Sequence, residues 1–193
     1  MRIFVAGGAG AIGRRLIPEL VRRGHQVTAT TRGADKFELI RKLGAAPVVV
    51  DGLDASAVGE AVARAEPEAI IHQMTALGGS ADLRHFDRWF ARTNDLRTRG
   101  TAHLLAAARA AGVQRFVAQS YTGWNSARTG GQVKTENDPM DPEPAKAQRE
   151  TLAAIQALER AVGGAPLEGL VLRYGNLYGP GASDELVDSP FQG

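Results

Sequence analysis

Apolar residues along this chain follow two alternating rhythms. Short unbroken runs at 2–6 (RIFVA), 26–31, 47–50, 69–74, 115–120 and 169–175 read as strands buried on both faces. Between them lie stretches whose apolar positions recur every three or four residues, the spacing of one helix face. Residues 11–24 carry Ile12, Leu16, Ile17, Leu20 and Val21 at that spacing and end on Gly24. The same reading predicts helices over 35–44, 55–65 and 146–162, and one long helix over 83–111. Strands alternating with helices predict an α/β domain, a doubly wound parallel sheet with right-handed crossovers and helices on both faces. The stretch 121–145, rich in Gly, Pro, Asn and Asp, reads as loop.

Composition narrows the chemistry. A chain of 193 residues suffices for one domain with a real core, burying roughly 70% of its unfolded surface. Cysteine is absent, which excludes disulfides, thiolate nucleophiles and Cys-ligated metals and suits a cytoplasmic protein. The four histidines are scattered, so no metal site is expected. No apolar run approaches the roughly 18 residues of a membrane span, and the opening MRIFVAGGAG reads as a first strand rather than a signal peptide. The net charge of +2 conceals an asymmetry: residues 1–50 carry nine basic and three acidic side chains. With no basic runs interleaved with aromatics, this points to a small polyanionic ligand and not to nucleic acid.

The first turn supplies a place for that ligand. GGAGAIG sets Gly7, Gly10 and Gly13 three residues apart, between a strand and a helix. The first glycine permits a tight turn, the second lets backbone amides approach a pyrophosphate, and the third lets helix and strand pack closely. The amides here, including those of Ala11 and Ile12, and the helix dipole favour an anion. At the end of the second strand, where an NAD site carries an acid for the ribose 2′-hydroxyl, the chain has Thr31 followed by Arg32. An arginine pairs with a 2′-phosphate, so the expected cofactor is NADP, with NAD possible; the plainer alternative is an exposed Arg in a basic stretch. The third strand runs into Asp51-Gly52-Leu53-Asp54. Asp51 reads as an acceptor for the adenine amino group and Asp54 as the N-cap of the following helix.

In their order these motifs resemble the extended short-chain dehydrogenase/reductase family, also called the NAD-dependent epimerase/dehydratase family. The resemblance runs the whole chain: the glycine turn, the Asp51–Asp54 pair, IIH at 70–72, Asn94 ahead of GTAHLLAAA, RFVAQS, and LRYGNLYGPG at 172–181. It implies a Rossmann domain over 1–175, and the start of a truncated substrate-binding region over 176–193. It further implies that Gly52, Leu53 and Thr75 line the cofactor crevice, with Ser120 and Tyr121 near the nicotinamide. Tyr174 then lies by the carboxamide, and Asn176 faces a small-molecule substrate. The implied reaction moves a hydride between the nicotinamide and a hydroxyl or keto carbon.

One departure is chemical. Active members carry Tyr-x-x-x-Lys on the helix at 146–162, the Lys lowering the Tyr pKa for proton exchange. The residues four before the four lysines here are Arg32, Glu38, Gly130 and Pro142, so the motif is absent; Thr151 and Ile155 take the two places. The remaining candidates for catalysis are Tyr121, at the place of the family's companion Ser or Thr, and the adjoining Ser120. The alternative is a non-catalytic dinucleotide-binding sensor or scaffold. Phe86, Trp89 and Phe90 form a helical stripe that reads as core or interface, and family dimers suggest a homodimer through the helices near 83–111 and 146–162. Trp124 reads as a pocket lid or a cover for the core.

Overall fold

The computed structural model describes residues 1–77, 86–131 and 133–177. Its six strands are β1 (Arg2–Ala6), β2 (Gln26–Thr31), β3 (Ala46–Val49), β4 (Ala69–His72), β5 (Arg115–Tyr121) and β6 (Glu168–Tyr174). All five pairings are parallel and the order is β3-β2-β1-β4-β5-β6, so the expected doubly wound Rossmann sheet is present. The order reverses between β1 and β4, and the crevice at their carboxyl ends is where such sheets receive ligands.

Alternation along the central strands divides the core into two layers. Phe4 on β1, Ile70 on β4 and Phe116 on β5 point to one face, with Val58, Val62, Leu104 and Leu158 packed there. Ile3 and Val5 point to the other, against Ile17, Val27 and Ile40. Successive side chains on a strand face opposite ways, so a run apolar at every position is needed to fill both layers.

The helices are α1 (Gly13–Arg22), α2 (Phe37–Lys42, preceded by a 3-10 turn at Ala34–Lys36), α3 (Ala55–Ala65), α4 (Phe86–Asp95), α5 (Thr101–Ala110) and α6 (Arg149–Gly163). The long helix expected over 83–111 is interrupted: α4 and α5 are joined by a π-helical turn, Leu96–Gly100, and residues 83–85 lie outside the described residues. A π turn holds an extra residue and so brings neighbours to one face. Leu96 and Arg97, adjacent in sequence, are both buried there. The turn lies close to the segment after β3, where a Cβ on Gly52 would meet the Met74 sulfur at 2.5 Å and Leu96 Cδ2 at 3.1 Å. Of the suggested substrate-binding region, only Asn176 and Leu177 are described. Among the described residues no helix is long and apolar enough to cross a membrane.

Candidate dinucleotide site

β1 ends at Ala6 and the chain turns at Gly7, whose φ of 94° lies in the left-handed region. The Gly7 amide donates to Thr30 Oγ1 at 2.9 Å and the Gly8 amide to the Thr30 carbonyl at 3.0 Å, which ties the turn to β2. A Cβ on Gly7 would stand 2.7 Å from the Gln73 carbonyl oxygen, and one on Gly13 would stand 2.6 Å from the Gly8 carbonyl carbon. Gly10 differs, since a Cβ there would approach only Gly7 O, at 3.3 Å, and Gly10 lines the crevice itself. α1 then starts with no side-chain cap at Ile12 and no acid in its first turn, so no acidic side chain of its own offsets the positive end of its dipole.

The crevice above this turn has a volume of about 320 Å³. Gly7, Gly10, Arg32, Asp51, Gly52 and Thr75 line it, as do Lys36, Gln73, Met74 and Arg92, which the sequence did not single out. Ala11, Ile12 and Gly13 lie at the adjoining start of α1, while Leu53 and Tyr174 are not among its lining residues. Asp51 is held from two sides: Oδ1 accepts from the Leu53 amide at 3.1 Å and Oδ2 from Arg92 Nη2 at 2.8 Å. The Leu53 amide first, then Arg92 and Arg32, hold its carboxyl below the ordinary carboxylate range. Asp54 caps α3, accepting from the Ala57 amide at 3.0 Å. Arg32 and Lys36 are exposed at the end of β2, Lys36 paired with Asp35 at 3.2 Å.

Gln73 is 6% exposed, and its Oε1 is the one buried side-chain N or O atom among the described residues with no hydrogen-bond partner. Such an atom costs about 1–3 kcal/mol, a cost that a donor from a ligand in the crevice would remove. The glycine cradle, the start of α1 and this unpartnered acceptor fit a ribose-bearing diphosphate. A polar residue directly after an apolar strand was the available signal for Gln73.

Beyond Thr75 the segment is stitched to α4, the Ala76 amide donating to Thr93 Oγ1 at 3.0 Å. His72 beneath it is fully buried; the Met74 amide donates to its Nδ1 at 3.2 Å, so Nε2 carries the proton toward Thr101 Oγ1 at 3.1 Å. Burial pushes this imidazole down to about 4.

Ser120 and Tyr121 part company. Adjacent strand residues point to opposite faces, and Ser120 Oγ, 2% exposed, donates to Glu159 Oε1 of α6 at 2.6 Å. Glu159 also binds Arg173 of β6 through both oxygens, at 2.9 and 2.7 Å. Tyr121 is half-buried, and its hydroxyl donates to Asn176 Oδ1 at 2.9 Å. Burial raises its phenol and Arg97 acts in the other direction. Gly123 gives the phenol room, since a Cβ there would stand 2.6 Å from the hydroxyl. Asn125 fixes this loop, donating to the Tyr121 carbonyl and accepting from the Gly123 amide. Phe86, Trp89, Phe90 and Trp124 join Tyr121 in one aromatic cluster, with Tyr121 and Trp124 centroids 6.2 Å apart.

On α6, Thr151 Oγ1 donates to Asp87 Oδ1 at 2.9 Å and accepts from Asn94 Nδ2 at 3.0 Å, and Ile155 is completely buried. Neither place holds a group that could exchange a proton with a substrate.

A Rossmann sheet with a glycine-lined crevice at its switch point defines a dinucleotide-binding domain. The sequence profile of the NAD dependent epimerase/dehydratase family matches residues 3–190, and the chain belongs to that family. It is 46% identical over 184 residues to a 3-diazoavenalumate denitrifying reductase from a Streptomyces species, covering 94% of this chain and 58% of that protein. It is 36% identical over 117 residues to a 4-hydroxy-2-methyl-3-oxo-4-farnesyl-3,4-dihydroquinoline-1-oxide ketoreductase of Stigmatella aurantiaca, covering 61% of this chain and 32% of that one. Among solved structures, the UDP-glucose 4-epimerase of Thermus thermophilus in complex with NAD matches with a TM-score of 0.74 and 29% identity, over 93% of this chain and 57% of that one. The chain thus spans at most little more than half the length of these relatives.

Proposed function

We propose that this chain is the nucleotide-binding part of a reductase that uses NADP. The bound nicotinamide would supply a hydride. The glycine turn and the start of α1 would hold the diphosphate, and Gln73 a hydroxyl of the nucleotide. Arg32 and Lys36 would meet a 2′-phosphate, with Asp51 at the adenine. Exposed cations where an NAD site carries an acid support the NADP assignment.

The state of α6 carries the choice of substrate. A keto carbon that takes a hydride also needs a proton, and Thr151 and Ile155 offer none. A diazonium carbon that takes a hydride and expels N2 needs no proton: the C–N bond breaks as the C–H bond forms. The 46% identical relative is named for a diazo substrate and for denitrification. A small aromatic diazo compound is therefore the acceptor we assign. The second reading is the keto acceptor, with Tyr121 as the acid; the half-buried phenol bound to Asn176 favours it.

NADPH consumption and N2 release against an arenediazonium salt and an aryl ketone, with protein-free controls, test these readings. Diazonium turnover that survives Tyr121→Phe is the expected result; ketone turnover abolished by that substitution would establish the second reading instead. Tight NADPH binding without turnover of either would leave a sensor or scaffold. We also propose a homodimer through the faces of α4, α5 and α6, to be checked by light scattering.

A further inference from the structure

The cations Arg32, Lys36 and Arg92 line the crevice together with the carboxylates Asp35 and Asp51. Arg32 and Lys36 follow directly on β2, whereas Arg92 arrives from α4. Its backbone is fixed by its neighbour: Thr93 is completely buried, and its Oγ1 accepts from the Ala76 amide at 3.0 Å, which ties this part of α4 to the segment after β4. From there the Arg92 guanidinium reaches the end of β3, where Nη2 donates to Asp51 Oδ2 at 2.8 Å. Strand register puts that end beside Arg32. Thr31 of β2 pairs with Val49 of β3, and the Val50 amide donates to the Thr31 carbonyl at 2.9 Å, so Arg32 and Asp51 leave adjacent strands within a residue of the same level. Two arginines from distant parts of the chain thus converge on one corner of the crevice.

The Arg92–Asp51 pair is 43% and 48% exposed, and an ion pair so open to solvent adds little to stability. Its effect is to hold a long side chain in one orientation before any ligand arrives. Asp51 is itself fixed, Oδ1 accepting from the Leu53 amide at 3.1 Å, so the arm is aimed by an immobile carboxylate. A guanidinium is a planar fork of five N–H groups, and one corner can bind a carboxylate while another meets a phosphate. A carboxylate in turn has room for about four donors, so Asp51 can hold Arg92 and still accept from an adenine amino group.

We propose that Arg92 is a further determinant of cofactor choice: aimed by Asp51, it closes with Arg32 on the 2′-phosphate of NADP. The assignment rests on the NADP reading above. It also accounts for an acid at this end of the crevice. Asp51 alone would repel a phosphate that carries nearly two negative charges, and the arginine bound to it reverses the sign of the field that the phosphate meets. The clasp joins α4 to the ends of β2 and β3, so the adenine end of the crevice is closed by parts of the chain that only the fold brings together.

Calorimetric titration with NADPH and with NADH, for the parent and for Arg92→Gln, tests this. Glutamine keeps a donor for Asp51 and removes the charge. The NADPH Kd should rise about ten-fold or more, the worth of a hydrogen bond to a charged group, while the NADH Kd stays within about two-fold. NADH affinity also reports whether the Asp51 segment has kept its shape. A ratio of the two Kd values in Arg92→Gln equal to the parent's, whether both affinities fall or neither does, would overturn the role of Arg92 and leave the NADP reading standing. A parent that shows no preference for NADPH, or binds neither cofactor, would overturn that reading and the proposal with it.

Discussion

Replacing Gln73 by leucine should make the protein more stable and its cofactor binding weaker at the same time. The side chain is 6% exposed, and its Oε1 has no partner among the described residues. An unsatisfied buried acceptor costs about 1–3 kcal/mol, and an apolar group of similar shape removes that cost. Taking the low end, about 1 kcal/mol, the melting temperature of a domain this size should rise by roughly 2–4 °C. The backbone is untouched, since the Gln73 amide still donates to the Ala6 carbonyl at 2.8 Å. A ribose hydroxyl that had bonded to Oε1 loses about 0.5–1.5 kcal/mol, or roughly two- to twelve-fold in Kd. Differential scanning fluorimetry without ligand and calorimetric titration with NADPH give the two numbers. A lower melting temperature, or an unchanged Kd, would refute the claim that this atom waits for a ligand.

Gly13→Ala drives a methyl group into the Gly8 and Gly7 backbone, 2.6 Å from one carbonyl carbon and 2.7 Å from the other carbonyl oxygen. It should cost about 1–3 kcal/mol in urea unfolding and weaken NADPH binding as the turn opens. His72 predicts an acid-labile fold. Its imidazole is held neutral down to about 4, against 6.5 for the free side chain, so only the unfolded chain gains a proton between those values. The contribution is fully present above pH 6.5 and is lost as pH falls toward 4, by about 2 kcal/mol at pH 5. Comparing urea midpoints at pH 7 and pH 5 for wild type and His72→Gln checks this; an equal fall in both would remove His72 as the cause.

Local pattern made most of the scaffold legible. Unbroken apolar runs need two covered faces, and this requirement placed all six strands within a residue or two, the largest difference being β4, which ends two residues earlier than expected, at His72. Glycine spacing located the turn because backbone crowding at Gly7 and Gly13 leaves no room for a Cβ. Asp54 was readable as a cap because capping is settled within four residues.

The reacting end was written less plainly, because its neighbours come from distant parts of the chain. Alternation on β5 already implied that Ser120 and Tyr121 could not share a face, but only packing assigned Ser120 to Glu159, 39 residues on. Asp51 found Arg92 across 41 residues. A 3.6-residue period cannot show Arg97 buried beside Leu96; the π turn does that, and it forms where the helix packs against Gly52 and Met74. Sequence by itself determined the strands, most of the helices and the phosphate turn, since each is written in the spacing of residues close together along the chain. Tertiary structure alone decided which polar groups are satisfied and which are left waiting, Gln73 Oε1 above all, because satisfaction depends on partners that only folding brings near.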